Sequence, residues 1–225
     1  MKGSLHPITQ FVRETVDVFQ SLGFDLYQGV EVDNEWNNFD ALNMPSDHPA
    51  RDVQDTFWLK DGRLLRTQTS NSQVRYGKSH RPPFRVIMPG QVYRNEATDY
   101  KHEANLFQLE GLYIDKDVKV GHLKYTLEYF FKKIFGQETE IRFRPSYFPF
   151  VEPGFEVDAK FKSKWLELLG AGMVHPKVIK NMGLDPDKFS GFAFGLGVDR
   201  LCMLKYGIDD IRLFRSGDLR FLKQF

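Results

Sequence analysis

The chain has 225 residues, 41% of them hydrophobic and 15% aromatic, with 31 basic and 30 acidic residues for a formal charge of +1. That is enough apolar material for one sizeable core, but the balanced charge excludes a whole-molecule field that would steer a polyanion. This chain alone is therefore not expected to supply most of the phosphate contacts to a nucleic acid. The single cysteine, Cys202, excludes an internal disulfide and a cysteine-based zinc cluster. No apolar run approaches a membrane span, so a cytosolic, soluble protein is the default expectation.

Ile8, Phe11, Val12, Val16, Phe19 and Leu22 follow helical spacing after His6-Pro7, which predicts an amphipathic helix over 8–22 ending before Gly23. The opening Met-Lys-Gly-Ser runs straight into it, which suggests that an upstream segment is missing. Phe24 to Val32 alternates like a strand. Residues 36–52 are rich in turn formers and read as an irregular ordered loop, with Trp36, Phe39, Leu42 and Met44 to bury. Short strands are expected at 56–59 and 64–66 around Asp61-Gly62, and Ser70 is placed as the N-cap of a helix through Gly77.

Val86–Tyr93 and Leu106–Ile114 then alternate as two antiparallel strands around a long polar loop. A loop of this length usually has a function, because ordering it costs entropy that little apolar burial offsets. Arg94 and Glu96, two apart, share one face where the first strand ends; Gln108 and Glu110 share one face of the returning strand. Four polar groups on one hairpin face make a candidate site, the alternative being an ordinary solvated sheet face.

A second helix is predicted over 118–135, closed by Gly136. Residues 140–143, 155–161 and 164–173 are expected to be strands, with the proline-punctuated FRPSYFPFVEPG run between the first two. His175-Pro176 opens a short helix stopped by Gly183, and a buried strand, 192–196, runs into a last helix over 197–206. Strands dominate the middle without alternating one for one with helices. The class is therefore α+β with a mainly antiparallel sheet, in a single domain over 1–225.

GFAFGLGVDR, residues 191–200, lacks the Lys-Ser/Thr end of a P-loop and the parallel βαβ unit of a dinucleotide fingerprint. Its Gly195 and Gly197 instead mark close approach over a strand, with Arg200 as a fixed donor fork in the first helical turn. Gly170 and Gly172 thin a second strand in the same way, so the two suggest a slot in the sheet. Phe148 and Phe150 share one face, with Glu152 two further on, and aromatic edges against a slot suit an apolar, aromatic ligand. The alternatives are tight helix-on-sheet packing and a phenylalanine-rich core loop. The six histidines show no metal spacing, and no nucleophile–base arrangement is present.

The hairpin VYRNE…HEANLFQLEG resembles motif 2 of the class II aminoacyl-tRNA synthetases, and GFAFGLGVDRLCMLKYGIDDIR resembles their motif 3; residues 7–32 stand where motif 1 would. NFDALN, HPARD, DTFW, LLRTQTS, FRPSYFPFVEP, LELLGAGMVHP and DLRFLKQF resemble the bacterial phenylalanyl-tRNA synthetase α-subunit family over His6 to Phe225. The resemblance implies an antiparallel sheet flanked by helices and an α2β2 heterotetramer with a β subunit. The family's N-terminal helical arm, which grips tRNA, finds no counterpart in the resemblance and is expected to be missing from these residues.

The implied reaction joins L-phenylalanine and ATP into phenylalanyl-adenylate, with Mg²⁺, and then charges tRNA(Phe). By resemblance the catalytic set is Arg94, Glu96 and Arg200. Arg94 bridges the α-phosphate and the amino-acid carboxylate, Glu96 accepts from the adenine amino group, and Arg200 holds the γ-phosphate. His102 approaches the pyrophosphate, and Leu106 and Gly197 complete the ATP site. Gln68, Ser70, Gln108 and Glu110 take the substrate's polar end. Phe148, Phe150, Val151, Gly170, Gly172, Ala193 and Gly195 form its slot, and Glu152 is the Mg²⁺ ligand at the subunit border. An apolar slot rejects an added hydroxyl by only ~10²-fold, so editing is expected on the β subunit. The rival reading is a non-catalytic paralogue serving as a binding or assembly module.

Three positions depart from the family pattern. Gly29 is followed by Val30 rather than proline, Leu106 stands where an adenine-stacking phenylalanine is usual, and Asp199 replaces the glutamate before Arg200.

Overall fold

The structure is a computed structural model that describes residues 3–44, 46–47, 56–95, 97–100 and 102–225. Its centre is a seven-stranded sheet. In chain order the strands are β1 (Asp25–Leu26), β4 (Phe84–Tyr93), β5 (Asn105–Asp115), β6 (Ile141–Phe148), β7 (Val151–Phe161), β8 (Lys164–Val174) and β9 (Ser190–Gly197). They lie side by side as β1-β4-β5-β9-β8-β7-β6. All pairs are antiparallel except β1 with β4, so the sheet is mixed, with one short parallel edge pair. A separate two-stranded ribbon joins β2 (Val32–Asp33) to β3 (Leu64–Leu65).

Because side chains alternate across a strand, the register divides the sheet into two faces of different character. Ile87, Leu109, Phe192, Phe194, Leu196, Leu169 and Ala171 face the main core. That face is covered by α1 (Pro7–Ser21), α4 (Val120–Phe135) and α6 (Val198–Tyr206), which bring in Phe11, Phe19, Phe130, Phe131 and Leu201. The Phe19 ring stacks on Phe130 at 4.9 Å and on Phe194 at 5.2 Å, tying two helices to the central strand. Burying each such ring contributes roughly 1.5–3 kcal/mol, so this face fixes the strand order.

The other face carries Met88, Gln108, Glu110, Leu112, Ala193, Gly195 and Gly170, as the pairs Met88↔Glu110↔Gly195↔Gly170 require. At one end it is covered by α3 (Asn71–Ser79), α5 (Pro176–Asn181) and the 3-10 turn Asp40–Leu42 that follows α2 (Glu35–Asn38). The strip over Gly170, Gly195 and Gly197 is half-buried to exposed.

Several sequence-based expectations need correction. Phe24–Val32 is not one strand: it pairs only at Asp25–Leu26 and Val32–Asp33, on different sheets. Between them the chain crosses a buried arginine. Arg66 Nη1 donates to the Val30 carbonyl, and a Cβ on Gly29 would lie 1.9 Å from Ser72 Oγ. The FRPSYFPFVEPG run, to which the pattern assigned no strand, forms the end of β6, a turn at 149–150 and the start of β7. β6 is an edge strand, where proline is tolerated, and Pro153 sits at the register shift between Val151 and Gly154. Of 56–59, only Trp58 bridges to Leu64. Phe39, Leu42 and Met44 are buried as expected, but Trp36 is 40% exposed beneath Lys78. The rest of that loop, at 45 and 48–55, lies outside the described residues.

Candidate active site

The open sheet face becomes a site because β5 places two polar side chains beside a glycine pair. Gly195 of β9 pairs with Glu110 on one side and Gly170 of β8 on the other. A Cβ on Gly195 would come within 2.9 Å of Gln108 Nε2 and 3.0 Å of Glu110 Oε2. Glycine is therefore what lets both side chains lie across the neighbouring strand. Gly170 serves the aromatic wall, since its Cβ would stand 3.1 Å from the Phe148 ring. Gly172 has another role, because its Cβ would strike Pro153 O at 2.5 Å and Val151 Cβ at 2.7 Å. It admits the β7 backbone rather than a ligand. At Gly197 a Cβ would meet nothing within 4 Å, which leaves that end of the strip open.

Glu110 is the electrostatic centre. It is 2% exposed, accepts from Ser70 Oγ at 2.8 Å and from Gln73 Nε2, and has no basic side chain within ion-pair distance among the described residues. Burial raises its pKa from 4.5 to about 8, against the lowering effect of the Ser70 and Gln73 hydrogen bonds. A carboxylate in that state is matched by an incoming cation with several N–H donors, because the cation offsets the desolvation that burial imposes. Gln108 stands beside it, its Oε1 3.4 Å from the Thr69 amide. Ser70 does occupy the N-cap position of α3, but its hydroxyl does not cap the helix; it goes to Glu110 instead.

The segment before α3 is held from below. Asn38 Nδ2 donates to Thr67 Oγ1 at 3.0 Å, and Gln68 Nε2 donates to the Asn38 carbonyl at 3.1 Å, so Gln68 spends a donor on the scaffold. Arg66, 2% exposed, donates through Nε to the Gln91 carbonyl at 2.7 Å. Burial lowers its pKa, with Glu31 opposing. Its guanidinium fills the space over Gly90, whose Cβ would lie 2.0 Å from Nη2. Asp33 anchors α3 from the outside, accepting from Asn71 at 2.8 Å and pairing with Arg75, and hydrogen bonds including that with Arg75 outweigh burial to hold its pKa below the usual value.

Arg94 leaves the end of β4 with its amide bonded to the Ala104 carbonyl at 2.9 Å. Its Nε reaches Thr67 O at 3.4 Å, and its terminal amino groups have no hydrogen-bond partner among the described residues. Arg200, in the first turn of α6, is exposed and makes no ion pair with a described residue. Two guanidinium forks without carboxylate partners among the described residues, one after the end of β4 and one in the first turn of α6 after Gly197, suit an extended polyanion. His102 does not reach into the strip: its Nδ1 lies 2.9 Å from Asp99, whose carboxylate also accepts the His102 amide. Glu96 lies outside the described residues.

Phe148 and Phe150 stand side by side, centroids 5.9 Å apart and 20° from parallel, packed with buried Val151 and Ala193. The register puts Leu106 in line with Gln108 and Glu110 and Phe107 on the opposite side, and both pack partly against the main core at this end of the strand. The Glu152 side chain is 75% exposed, and its one ion-pair partner among the described residues is His175, with Nε2 at 3.5 Å. No group of three metal-ligating side chains exists among the described residues. Sequence reasoning missed Gln73, Asn38 and Arg66. Gln73 had a visible signal, lying one turn after Ser70 and so on the same helix face; the other two had none.

Comparison with known proteins gives a consistent picture. A family model described as the class II core domain of tRNA synthetases (F) matches residues 1–225. A phenylalanine–tRNA ligase alpha subunit from Xylella fastidiosa (strain 9a5c) is 52% identical over 229 residues, covering 100% of this chain and 68% of that protein. The protein of that name from Yersinia enterocolitica (strain NCTC 13174 / 8081) is 53% identical, covering 99% and 68%. Among solved structures, pyrrolysyl-tRNA synthetase from Desulfitobacterium hafniense superposes with a TM-score of 0.74 over 96% of this chain and 75% of that one. Its sequence identity is 17%, so it speaks to the fold alone.

Proposed function

The chain belongs to the class II tRNA synthetase core-domain family and, within it, to the phenylalanine–tRNA ligase alpha subunits; from that premise we propose that it activates L-phenylalanine with ATP and charges tRNA(Phe) together with a β subunit. Residues 1–225 act as one catalytic domain, in the cytoplasm, in an α2β2 assembly. The observation that carries the reading is Glu110, a buried carboxylate without a cation, beside Gln108 and above a glycine pair bounded by Phe148.

In the reaction, a phenylalanine carboxylate oxygen forms a bond to the ATP α-phosphorus, and the bond to pyrophosphate breaks. Little covalent help is needed; positioning and charge neutralisation carry the rate. Glu110, with Ser70 and Gln73 behind it, takes the substrate ammonium, and Gln108 adds a second polar contact. Phe148 and Phe150 pack edge-on against the ring over Gly170. Arg94 neutralises the α-phosphate and orients the attacking carboxylate, while Arg200 takes the γ-phosphate end. Glu96 is assigned the adenine amino group and His102 the pyrophosphate, the latter requiring release from Asp99.

Mg²⁺ fits only in part. Glu152 is a hard oxygen donor open to solvent, but no group of three metal-ligating side chains forms among the described residues. Mg²⁺ is commonly held by one or two carboxylates together with substrate phosphates and waters, and Glu152 would supply one such ligand.

Two substitutions probe the strip. Gly195→Ala places a methyl against Gln108 and Glu110, and displacement by a fraction of an ångström is expected to lower kcat/KM for phenylalanine on the order of 10²-fold. The melting temperature should change little, since the strand stays paired on both sides. Leu106→Phe restores a ring where adenine would lie, and is expected to lower the KM for ATP about three- to tenfold, the worth of one aromatic contact. Steady-state kinetics on the αβ enzyme reads both. The reading itself is tested by charging purified tRNA(Phe) with labelled phenylalanine. Charging by the αβ enzyme supports it, whereas ligand binding without charging favours the binding-module alternative.

A further inference from the structure

Asp199, next to Arg200, is 2% exposed, and its two carboxylate oxygens go to two different parts of the chain. Oδ2 accepts the backbone N–H of Phe107, between Leu106 and Gln108 on β5. Oδ1 accepts from Arg215 Nη1 at 2.6 Å. The last register pair of β5 with β9 is Gln108↔Gly197, after which β9 turns into α6 and can no longer serve the Phe107 amide. The Asp199 carboxylate takes over that bond, which keeps the end of β5 and the first turn of α6 in one fixed geometry.

A carboxylate this buried needs a counter-charge, and Arg215 is its only ion-pair partner among the described residues. Arg215 follows the 3-10 turn Ile211–Phe214 as its C-cap, and the Ile211 amide donates to the Tyr100 carbonyl of the hairpin loop at 3.1 Å. One five-residue segment therefore holds the hairpin loop at one end and the acid beside Arg200 at the other. The acid is one methylene shorter than the glutamate that motif 3 usually carries, so a donor must reach in to it, and Arg215 does.

We propose that Arg215 is a positioning residue for the nucleotide: by completing Asp199 it sets the direction of Arg200 and the place of Leu106, and its segment steadies the hairpin loop. The inference rests on the synthetase reading above. The amino-acid end of the site is anchored separately, through Ser70 and Gln73 on α3. Loss of Arg215 should therefore be felt by ATP and not by phenylalanine.

The test uses the αβ enzyme, comparing wild type with Arg215→Ala and Arg215→Lys. Arg215→Ala is expected to raise the KM for ATP on the order of tenfold, as for one lost charge-assisted hydrogen bond, with the phenylalanine KM within about twofold. Arg215→Lys, which keeps the charge, should recover most of that loss. Amide exchange of the wild-type and variant peptides covering 97–107 gives a readout independent of activity, and should speed up in Arg215→Ala. If that variant does not assemble, Arg215→Met keeps the buried stem and tests the same charge. An unchanged ATP KM, an equal rise in both KM values, or unaltered exchange across 97–107 would overturn the proposal. An inactive wild-type enzyme would instead count against the synthetase reading, with the exchange experiment still deciding the role of Arg215.

Discussion

Replacing Glu110 by glutamine is expected to raise the KM for phenylalanine by about 30-fold or more and, in the same protein, to remove a pH-dependent loss of stability. The first effect follows from deleting one charge of a buried ammonium–carboxylate pair, worth about 2–5 kcal/mol. The second follows from linkage. In the free protein burial holds the Glu110 pKa at about 8, whereas the unfolded chain titrates near its ordinary 4.5. Between those values the folded state keeps a proton that the unfolded state has released. Stability is therefore fully present below the lower value and falls as pH rises to the upper one, by at most about 1.4 kcal/mol per pH unit.

Glutamine does not titrate, so Glu110→Gln should lack this slope and melt above wild type at pH 8. Phenylalanine has the opposite linkage: its ammonium favours the ionised carboxylate. Its affinity should therefore strengthen as pH rises toward about 8, with proton release on binding. Thermal melts from pH 5 to 8 and calorimetry in two buffers of different ionisation enthalpy measure both. A variant that binds phenylalanine normally, or melts with the wild-type slope, would contradict the assignment.

Arg94→Ala should reduce adenylate formation by about 10³-fold or more, because in its proposed role the fork neutralises charge that develops at the α-phosphate. Stability should change by about 1 kcal/mol or less, since the side chain makes one long bond, to Thr67 O at 3.4 Å. Arg94→Lys is not expected to restore the rate, because a point charge cannot bridge two oxygens as the planar fork does. Pre-steady-state formation of labelled adenylate, set beside the melting curve, separates the two effects. Equal losses of activity and stability would make Arg94 a structural residue.

What the sequence revealed follows the range of the interactions involved. The hairpin was legible because period-two alternation is local, and Gln108 and Glu110 two residues apart must share a face wherever the strand lies. The glycine slot was legible for the same reason, although only the structure separates Gly170 and Gly195, which face Phe148 and the Gln108–Glu110 pair, from Gly172, which admits β7. The break in Phe24–Val32 was not legible. It is imposed by Arg66 and Ser72, some 40 residues on.

The proline-rich run was not legible as strand because edge position and register shifts are properties of the whole sheet, and proline is tolerated at both. Ser70 was correctly placed at a helix start, but the partner of its hydroxyl lies 40 residues away on β5. Asp199 was noticed only as a shortened acid. Its contacts to Phe107 and Arg215 join three segments that no local pattern connects.

The central claim is that this open sheet face activates phenylalanine, and ATP–pyrophosphate exchange by the chain co-purified with a β subunit tests it most directly. Exchange that depends on phenylalanine, is absent with non-aromatic amino acids and is lost in Arg94→Ala is the predicted result; a well-folded αβ pair showing no phenylalanine-dependent exchange would contradict it.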